Sequence, residues 1–183
     1  MTVAIVGSGS SLLRLRVGKE IDSHDVVIRV NDYNIIKDTD ITGLKTTIRA
    51  CSFHKRFPIP FMPVEKIWCM RPKHYDTSDS VNWEVPIWAN VDKFNDIDLE
   101  RTLRLFSKSA VAPTSGMVAL VMAIQEYSED IYIYGYDFYE PNNYFFNTAI
   151  QKDTKEHTHF VERDYFKKLC EEHKRLKWIN GQQ

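Results

Sequence analysis

A chain of 183 residues, 43% hydrophobic and 27% charged, has the size and composition of one soluble globular unit that needs no disulfide or metal staple to bury a core. Its 24 basic and 25 acidic residues are interleaved from end to end and leave a formal net charge of -1, which excludes a polybasic surface and makes nucleic acid an unexpected partner. No basic leader followed by an apolar stretch opens the chain, and no run of about eighteen apolar residues occurs, so neither a signal peptide nor a membrane segment is expected.

Val3-Ala4-Ile5-Val6 is a short β-branched run that ends at Gly7-Ser8-Gly9-Ser10-Ser11, the pattern of a buried strand entering a tight turn. Residues 25–30 form a second such strand, closing on Asn31-Asp32, and residues 46–51 a third after the turn signal at Gly43. Three prolines within residues 57–63 demand an extended loop, and residues 65–70 follow as a fourth strand. Residues 72–95 read as loop with a short strand at 85–88, and residues 97–106 as a weak helix, with Asp96 and Asp98 as an acidic helix start.

Pro113-Thr114-Ser115-Gly116 precedes an uninterrupted apolar stretch at 117–124, predicting a helix buried against a sheet with Thr114 or Ser115 as its N-cap. Residues 130–137 give another strand and turn, and residues 160–178 carry apolar side chains at helical spacing. Strands alternating with helices predict one α/β domain over residues 1–183, Rossmann-like, with a mostly parallel sheet flanked by helices. The three cysteines, Cys51, Cys69 and Cys170, are odd in number and lie in apolar or helical contexts, which reads as buried thiols in a reducing, cytoplasmic setting.

In an open α/β sheet, ligands bind beyond the carboxyl ends of the strands, where small residues let backbone N–H groups approach a phosphate. Gly7, Ser8 and Gly9 occupy such an end, and Asn31 and Asp32 would lie beside them if the first two strands are neighbours. The turn is not a P-loop, and Leu12 fills the third glycine position of the dinucleotide fingerprint. Plain turn chemistry also accounts for the Gly-Ser and Asn-Asp pairs.

From here the run between Val3 and Arg49 resembles the long motif of the animal-type sialyltransferases. The resemblance rests on Val6-Gly7-Ser8-Gly9-Ser10-Ser11-Leu12, on residues 18–31 and on residues 40–47. Pro113-Thr114-Ser115-Gly116-Met117, continuing to Ile133-Tyr134-Gly135-Tyr136, resembles the family's small motif, and His157 with Glu162 its C-terminal motif. The resemblance implies a sialyltransferase-like variant of the Rossmann-like fold, no metal and no cofactor, and a CMP-activated sialic acid or related keto-sugar as donor substrate. It implies inverting transfer to a glycan acceptor. Family catalytic domains are longer, which leaves acceptor-side loops to be supplied elsewhere, a second copy in a homo-oligomer among the sources.

The resemblance places Gly7, Ser8, Gly9, Asn31, Thr114, Ser115 and Gly116 on the donor, and Tyr134, Gly135 and Tyr136 around its cytidine or sugar. His157 would be the general base that takes the acceptor proton, a role suited to an imidazole near neutral pH. Its rival is His159, and both also read as ordinary surface histidines of Glu156-His157-Thr158-His159. Glu162 falls in a first helical turn, where an acid stabilises the helix start.

Three departures stand out. Ser8 replaces the family's Asn, the cysteines that link the motifs in secretory members are missing, and residues 142–147 lack the third motif's histidine. Two other readings remain: a non-catalytic nucleotide- or glycan-binding module, and an NAD-dependent oxidoreductase with Asp32 on the ribose.

Overall fold

The computed structural model describes residues 1–31, 39–51, 64–69, 91–92, 113–138 and 159–180. The expectations for residues 57–63, 85–88, 97–106 and 142–147, and for Asp32 and His157, lie outside these described residues.

Seven strands lie among the described residues: β1 (Val3–Val6), β2 (Val26–Val30), β3 (Ile48–Cys51), β4 (Lys66–Cys69), β5 (Val91–Asp92), β6 (Ile131–Tyr134) and β7 (Leu176–Ile179). They join one sheet in the order β5-β4-β3-β2-β1-β6-β7, and every pairing is parallel. β1 is central: Val3 stands opposite Val26 on one side and Ile131 on the other. The chain builds outward from β1 in one direction and resumes on its other side with β6. Strand order therefore reverses between β1 and β6, and the carboxyl ends of these two strands flank the crevice where open α/β sheets bind ligands.

Alternation along β1 explains why the strand is apolar throughout. Val3 and Ile5 face one core with Ile28, Val30, Ile48, Ala50 and Trp68, whereas Ala4 and Val6 face another with Leu12, Ile21, Val27, Ile41 and Tyr134. A parallel sheet covered on both faces needs this composition. The first face is covered by α4 (Ser115–Glu126) and α5 (His159–Glu172), through Met117, Leu120, Ala123, Phe166 and Leu169. The second lies under α1 (Ser11–Leu15), α2 (Gly18–Ser23) and α3 (Thr39–Thr42).

These three short helices were not foreseen in the sequence, because each has six residues or fewer and is too short to show a period. Packing defines them. A Cβ on Gly18 would sit 1.9 Å from the Thr39 carbonyl oxygen, and one on Gly43, at φ +68°, would sit 2.2 Å from Asp22 Oδ1. Asp22 accepts the amides of Leu44 and Lys45 at 2.9 and 2.8 Å. Arg29, fully buried in β2, donates to the carbonyls of Lys45 (2.9 Å) and Thr42 (2.8 Å) and to Thr46 Oγ1 (3.1 Å). A buried guanidinium must have its donors engaged, so Arg29 pins the loop after α3 beneath the sheet. Gly18, Asp22, Arg29, Gly43 and Thr46 thus hold the scaffold behind the turn at residues 7–11.

The last helix also differs from expectation. Residues 160–178 read as one helix, yet α5 ends at Glu172 and residues 176–179 form β7. Arg175 donates to the carbonyls of Ile124, Tyr127 and Glu129, which turns the chain onto the end of α4. Its own carbonyl accepts the amide of Ile131 at 2.8 Å. Beyond it Leu176 and Trp178 join the α5 core while Lys177 is exposed, a period of two that the preceding charged run conceals.

Candidate active site

Two glycine turns meet where β1 and β6 end. The Gly7 amide donates to the Tyr134 carbonyl at 2.8 Å, and the Gly9 amide to the Gly135 carbonyl at 2.9 Å. A Cβ on either Gly7 or Gly9 would lie 2.6 Å from the Gly135 oxygen. Gly135 has φ +66°, and its own Cβ would lie 2.9 Å from Leu12 Cδ1. Leu12, which fills the third position of the dinucleotide fingerprint, is fully buried in the core. The room that a glycine would give there is supplied by Gly135 on the neighbouring strand.

Behind the turn, Asp137 accepts the Ser11 amide at 2.6 Å and the Ser11 hydroxyl at 2.5 Å. Ser11 begins α1, so this carboxylate serves the start of that helix from across the chain, favoured by the helix's positive end. Sequence reading missed Asp137, because 126 residues separate it from Ser11 and no local spacing links the pair. Among the described residues no hydrogen bond engages the Ser8 amide or side chain.

Tyr136 is wedged between this turn and α4. Its hydroxyl donates to the Gly116 carbonyl at 2.8 Å, and its ring faces both Gly7 and Gly116. Burial foremost, then the nearby Glu162 charge, push its pKa well above the usual phenol value, so the hydroxyl remains a donor. The Phe166 ring of α5 stacks on it at 6.0 Å. Tyr134 is fully buried and directs its hydroxyl to Glu20 (2.8 Å) and His24 (2.9 Å) beneath the sheet. It reaches the turn through its backbone carbonyl.

Thr114 is the N-cap of α4, its side chain accepting the Met117 amide at 3.3 Å. Its own amide and hydroxyl both donate to Glu162 of α5, at 2.5 and 2.9 Å. Glu162 is 3% exposed, so these bonds hold a buried carboxylate and draw the beginnings of both helices together. The amides of Ser115 and Gly116, the first two of a 12-residue helix, have no intrahelical acceptor.

Asn31 ends β2 in a left-handed conformation, φ +59°, with its amide donating to the Ala50 carbonyl at 2.7 Å. Among the described residues its buried side-chain Oδ1 has no hydrogen-bond partner, which is costly unless a ligand or water supplies a donor. The structure thus gathers Gly7, Ser8, Gly9, Gly135 and Tyr136 at one strand-end cluster, joined to Thr114, Ser115 and Gly116 through Tyr136. Asn31 closes the adjacent strand. His159 opens α5, and His157 precedes it by two residues in sequence.

Sequence comparison matches residues 1–57 to the glycosyltransferase family 29 (sialyltransferase) model. The chain is 27% identical to the type 2 lactosamine alpha-2,3-sialyltransferase of Rattus norvegicus, covering 90% of this chain and 60% of that protein. It is 26% identical to the Mus musculus enzyme of the same name, covering 76% and 51% respectively. The chain therefore spans between half and two-thirds of these relatives. Among solved structures, a mammalian sialyltransferase in complex with Gal-beta-1-3GalNAc-ortho-nitrophenol aligns over 99% of this chain and 70% of its own, with TM-score 0.68 and 16% identity. The sialyltransferase CST-II in complex with trisaccharide acceptor and CMP aligns over 100% and 82%, with TM-score 0.64 and 19% identity.

These relatives overturn the cytoplasmic placement expected from the cysteines, since the animal homologues are enzymes of the Golgi lumen. The thiols report packing instead. Cys51 is buried in β3, and burial foremost pushes the half-buried Cys170 thiol up to about 11, a property of the core on either side of a membrane. No helix among the described residues is long and apolar enough to cross one. Over residues 1–57 the chain is similar in sequence to glycosyltransferase family 29, the sialyltransferases, and its fold is similar to that of solved sialyltransferases.

Proposed function

We propose that residues 1–183 act as one glycosyltransferase domain that moves sialic acid or a related keto-sugar from a CMP-activated donor to a glycan hydroxyl. The observation that carries this reading is the Thr114–Glu162 tie. It brings the helix start that resembles the small motif to the helix start that follows His157, beside the crevice between β1 and β6.

In this reading the Ser115 and Gly116 amides, at the positive end of α4, hold the donor phosphate. Asn31 offers its unpartnered Oδ1 to a donor group of the nucleotide, and Ser8 adds an amide and a hydroxyl. Gly7 and Gly9 permit the close approach of backbone to ligand. Gly135 and Tyr136 back the cytidine or sugar, with Tyr134 supporting them from below. The CMP-sugar is a substrate, and neither metal nor cofactor takes part.

His157 is the general base. As the acceptor oxygen attacks the anomeric carbon, His157 takes its proton and CMP leaves from the opposite face, which inverts that centre. Replacing His157 by alanine is expected to abolish acceptor-dependent CMP release while CMP affinity stays within about two-fold of wild type. Undiminished turnover in that variant would remove His157 from the base role and transfer attention to His159.

A further inference from the structure

Tyr134 holds both ends of the segment that carries the glycine turn. Its carbonyl accepts the Gly7 amide at 2.8 Å, where β1 ends. Its hydroxyl meets Glu20 Oε1 at 2.8 Å and His24 Nε2 at 2.9 Å, where α2 ends. The turn, α1 and α2 all lie between these two attachments, and Leu12 packs in the same core as the Tyr134 ring. The next residue, Gly135, accepts the Gly9 amide at 2.9 Å. Where Gly7 and Gly9 stand thus depends on where the end of β6 stands, and the Tyr134 hydroxyl ties that end to α2.

The protons of this cluster are assigned by its bonds. The Tyr134 hydroxyl donates to Glu20, so its oxygen accepts from His24, whose neutral ring presents Nε2–H and leaves Nδ1 bare. The ring is buried and lies 4.7 Å from the Tyr132 ring, centroid to centroid. The charged groups that face it are Glu20 on α2, Asp25 ahead of β2 and Lys45 on the loop after α3, with Tyr132 and Tyr134 on β6. Lys45 Nζ donates to the His24 carbonyl, and Asp25 Oδ2 accepts the Thr2 amide at 2.6 Å. Burial foremost lowers the His24 pKa below 6.5, against the charges of Glu20 and Asp25.

A proton taken from solvent at Nδ1 gives the buried ring a charge and a second donor. Glu20 is the carboxylate already joined to this cluster, and an imidazolium competes with the Tyr134 hydroxyl for it. A buried hydroxyl that loses its acceptor is costly. The end of β6 relieves that cost by shifting, and the Tyr134 and Gly135 carbonyls move with it.

We propose that His24 is a positioning residue for donor binding: neutral, it fixes Tyr134 and with it the turn at Gly7 and Gly9; protonated, it releases Tyr134 and weakens the hold on the nucleotide. This rests on the CMP-donor reading given above and adds control by pH to the same site. His24 touches no substrate and acts through Tyr134. Because the neutral ring favours binding, affinity is complete above pH 6.5 and falls as pH drops through the His24 pKa.

The test is calorimetric titration with CMP, from pH 8 to pH 5, of wild type, His24→Gln and Tyr134→Phe, each held below its melting temperature at that pH. His24→Gln keeps an N–H donor for Tyr134 and takes no proton, and the titration of the CMP phosphate itself is common to all three proteins. Wild type and His24→Gln are expected to agree within about two-fold at pH 8 and to differ by about ten-fold at pH 5, with His24→Gln the tighter binder. Tyr134→Phe lacks the hydroxyl and should lose the same pH-dependent part, so it carries the test should His24→Gln fold poorly. Parallel profiles for wild type and either variant overturn the proposal, whatever the melting curves show.

Proton–nitrogen correlation spectra of wild type and His24→Gln over the same range follow the His24 ring and the Gly7 and Gly9 amides. In wild type the amide signals should move with the midpoint of the ring, and that movement should be absent from His24→Gln. If wild type binds no CMP at pH 8, the donor reading itself fails and His24 is judged on these signals alone. A shared midpoint then supports its hold on the turn; amides that do not follow the ring, or a ring that stays neutral until the protein unfolds, overturn it.

Discussion

The buried Glu162 carboxylate accepts both the amide and the hydroxyl of Thr114, two bonds across 48 residues that fasten the start of α5 to the start of α4. Removing the acceptor in Glu162→Ala leaves the Thr114 amide buried without its acceptor, at a cost of about 1–3 kcal/mol. For a chain of this size that corresponds to a fall in Tm of roughly 2–12 °C. Glu162→Gln keeps one acceptor and should lose about half as much. Circular dichroism melts of the two variants decide the matter; equal Tm for Glu162→Ala and wild type would deny the tie any energetic weight.

Asn31 holds a conformation at φ +59° that costs most side-chain-bearing residues about 1–2 kcal/mol, asparagine less, and glycine little. Its buried Oδ1 also has no partner among the described residues. Both penalties disappear in Asn31→Gly, so this variant is expected to unfold at the same or a higher temperature while binding CMP at least ten-fold more weakly, a loss of about 1.4 kcal/mol. A destabilised Asn31→Gly with unimpaired CMP affinity would make Asn31 a structural residue.

His24 sets a pH dependence. The side chain is 6% exposed, and its Nε2 lies 2.9 Å from the Tyr134 hydroxyl, which itself donates to Glu20 at 2.8 Å. With that proton committed to Glu20, Nε2–H is the donor in the pair. Burial foremost lowers the His24 pKa below 6.5, against the opposing charges of Glu20 and Asp25. The unfolded chain therefore binds a proton more readily than the folded one, and the stability contributed by neutral His24 is complete above 6.5 and lost progressively as pH falls below it. Tm measured from pH 8 to pH 5 should fall less steeply in His24→Gln than in wild type; parallel curves contradict the assignment.

The two glycines beside Tyr136 should respond unequally to substitution. A Cβ at Gly135 meets Leu12 Cδ1 at 2.9 Å and the Gly7 oxygen at 3.0 Å, at φ +66°, so Gly135→Ala pays about 1–2 kcal/mol for conformation alone and more for the contacts. At Gly116 the nearest atoms stand 3.5–3.6 Å away, on the Tyr136 ring, an ordinary contact. Gly116→Ala is expected to keep its stability within about 0.5 kcal/mol. Chemical denaturation of both variants checks the contrast.

The centre of the parallel sheet was legible because β1, β2 and β6 are short apolar runs ended by glycine or asparagine, and an N-cap at Thr114 or Ser115 followed from the apolar helix behind it. What the sequence concealed are relationships without a period. The helices α1, α2 and α3 exist through contacts such as Gly18 against Thr39, and β7 hides behind a charged run. Asp137 reads as a turn residue until the fold places it on Ser11. The ordered resemblance over residues 3–49 also gained a physical content: Gly18, Asp22, Arg29 and Gly43 brace the loop under the sheet, while Gly7, Gly9 and Asn31 lie at its ligand edge. Compartment was the misjudged property, because buried thiols answer to packing rather than to redox surroundings.

The most direct measurement is a calorimetric titration of the wild-type chain with CMP and, separately, with NAD. Saturable binding of CMP with no measurable heat from NAD is the result expected of a CMP-sugar-dependent glycosyltransferase. Binding of NAD without CMP would contradict it and restore the dinucleotide reading.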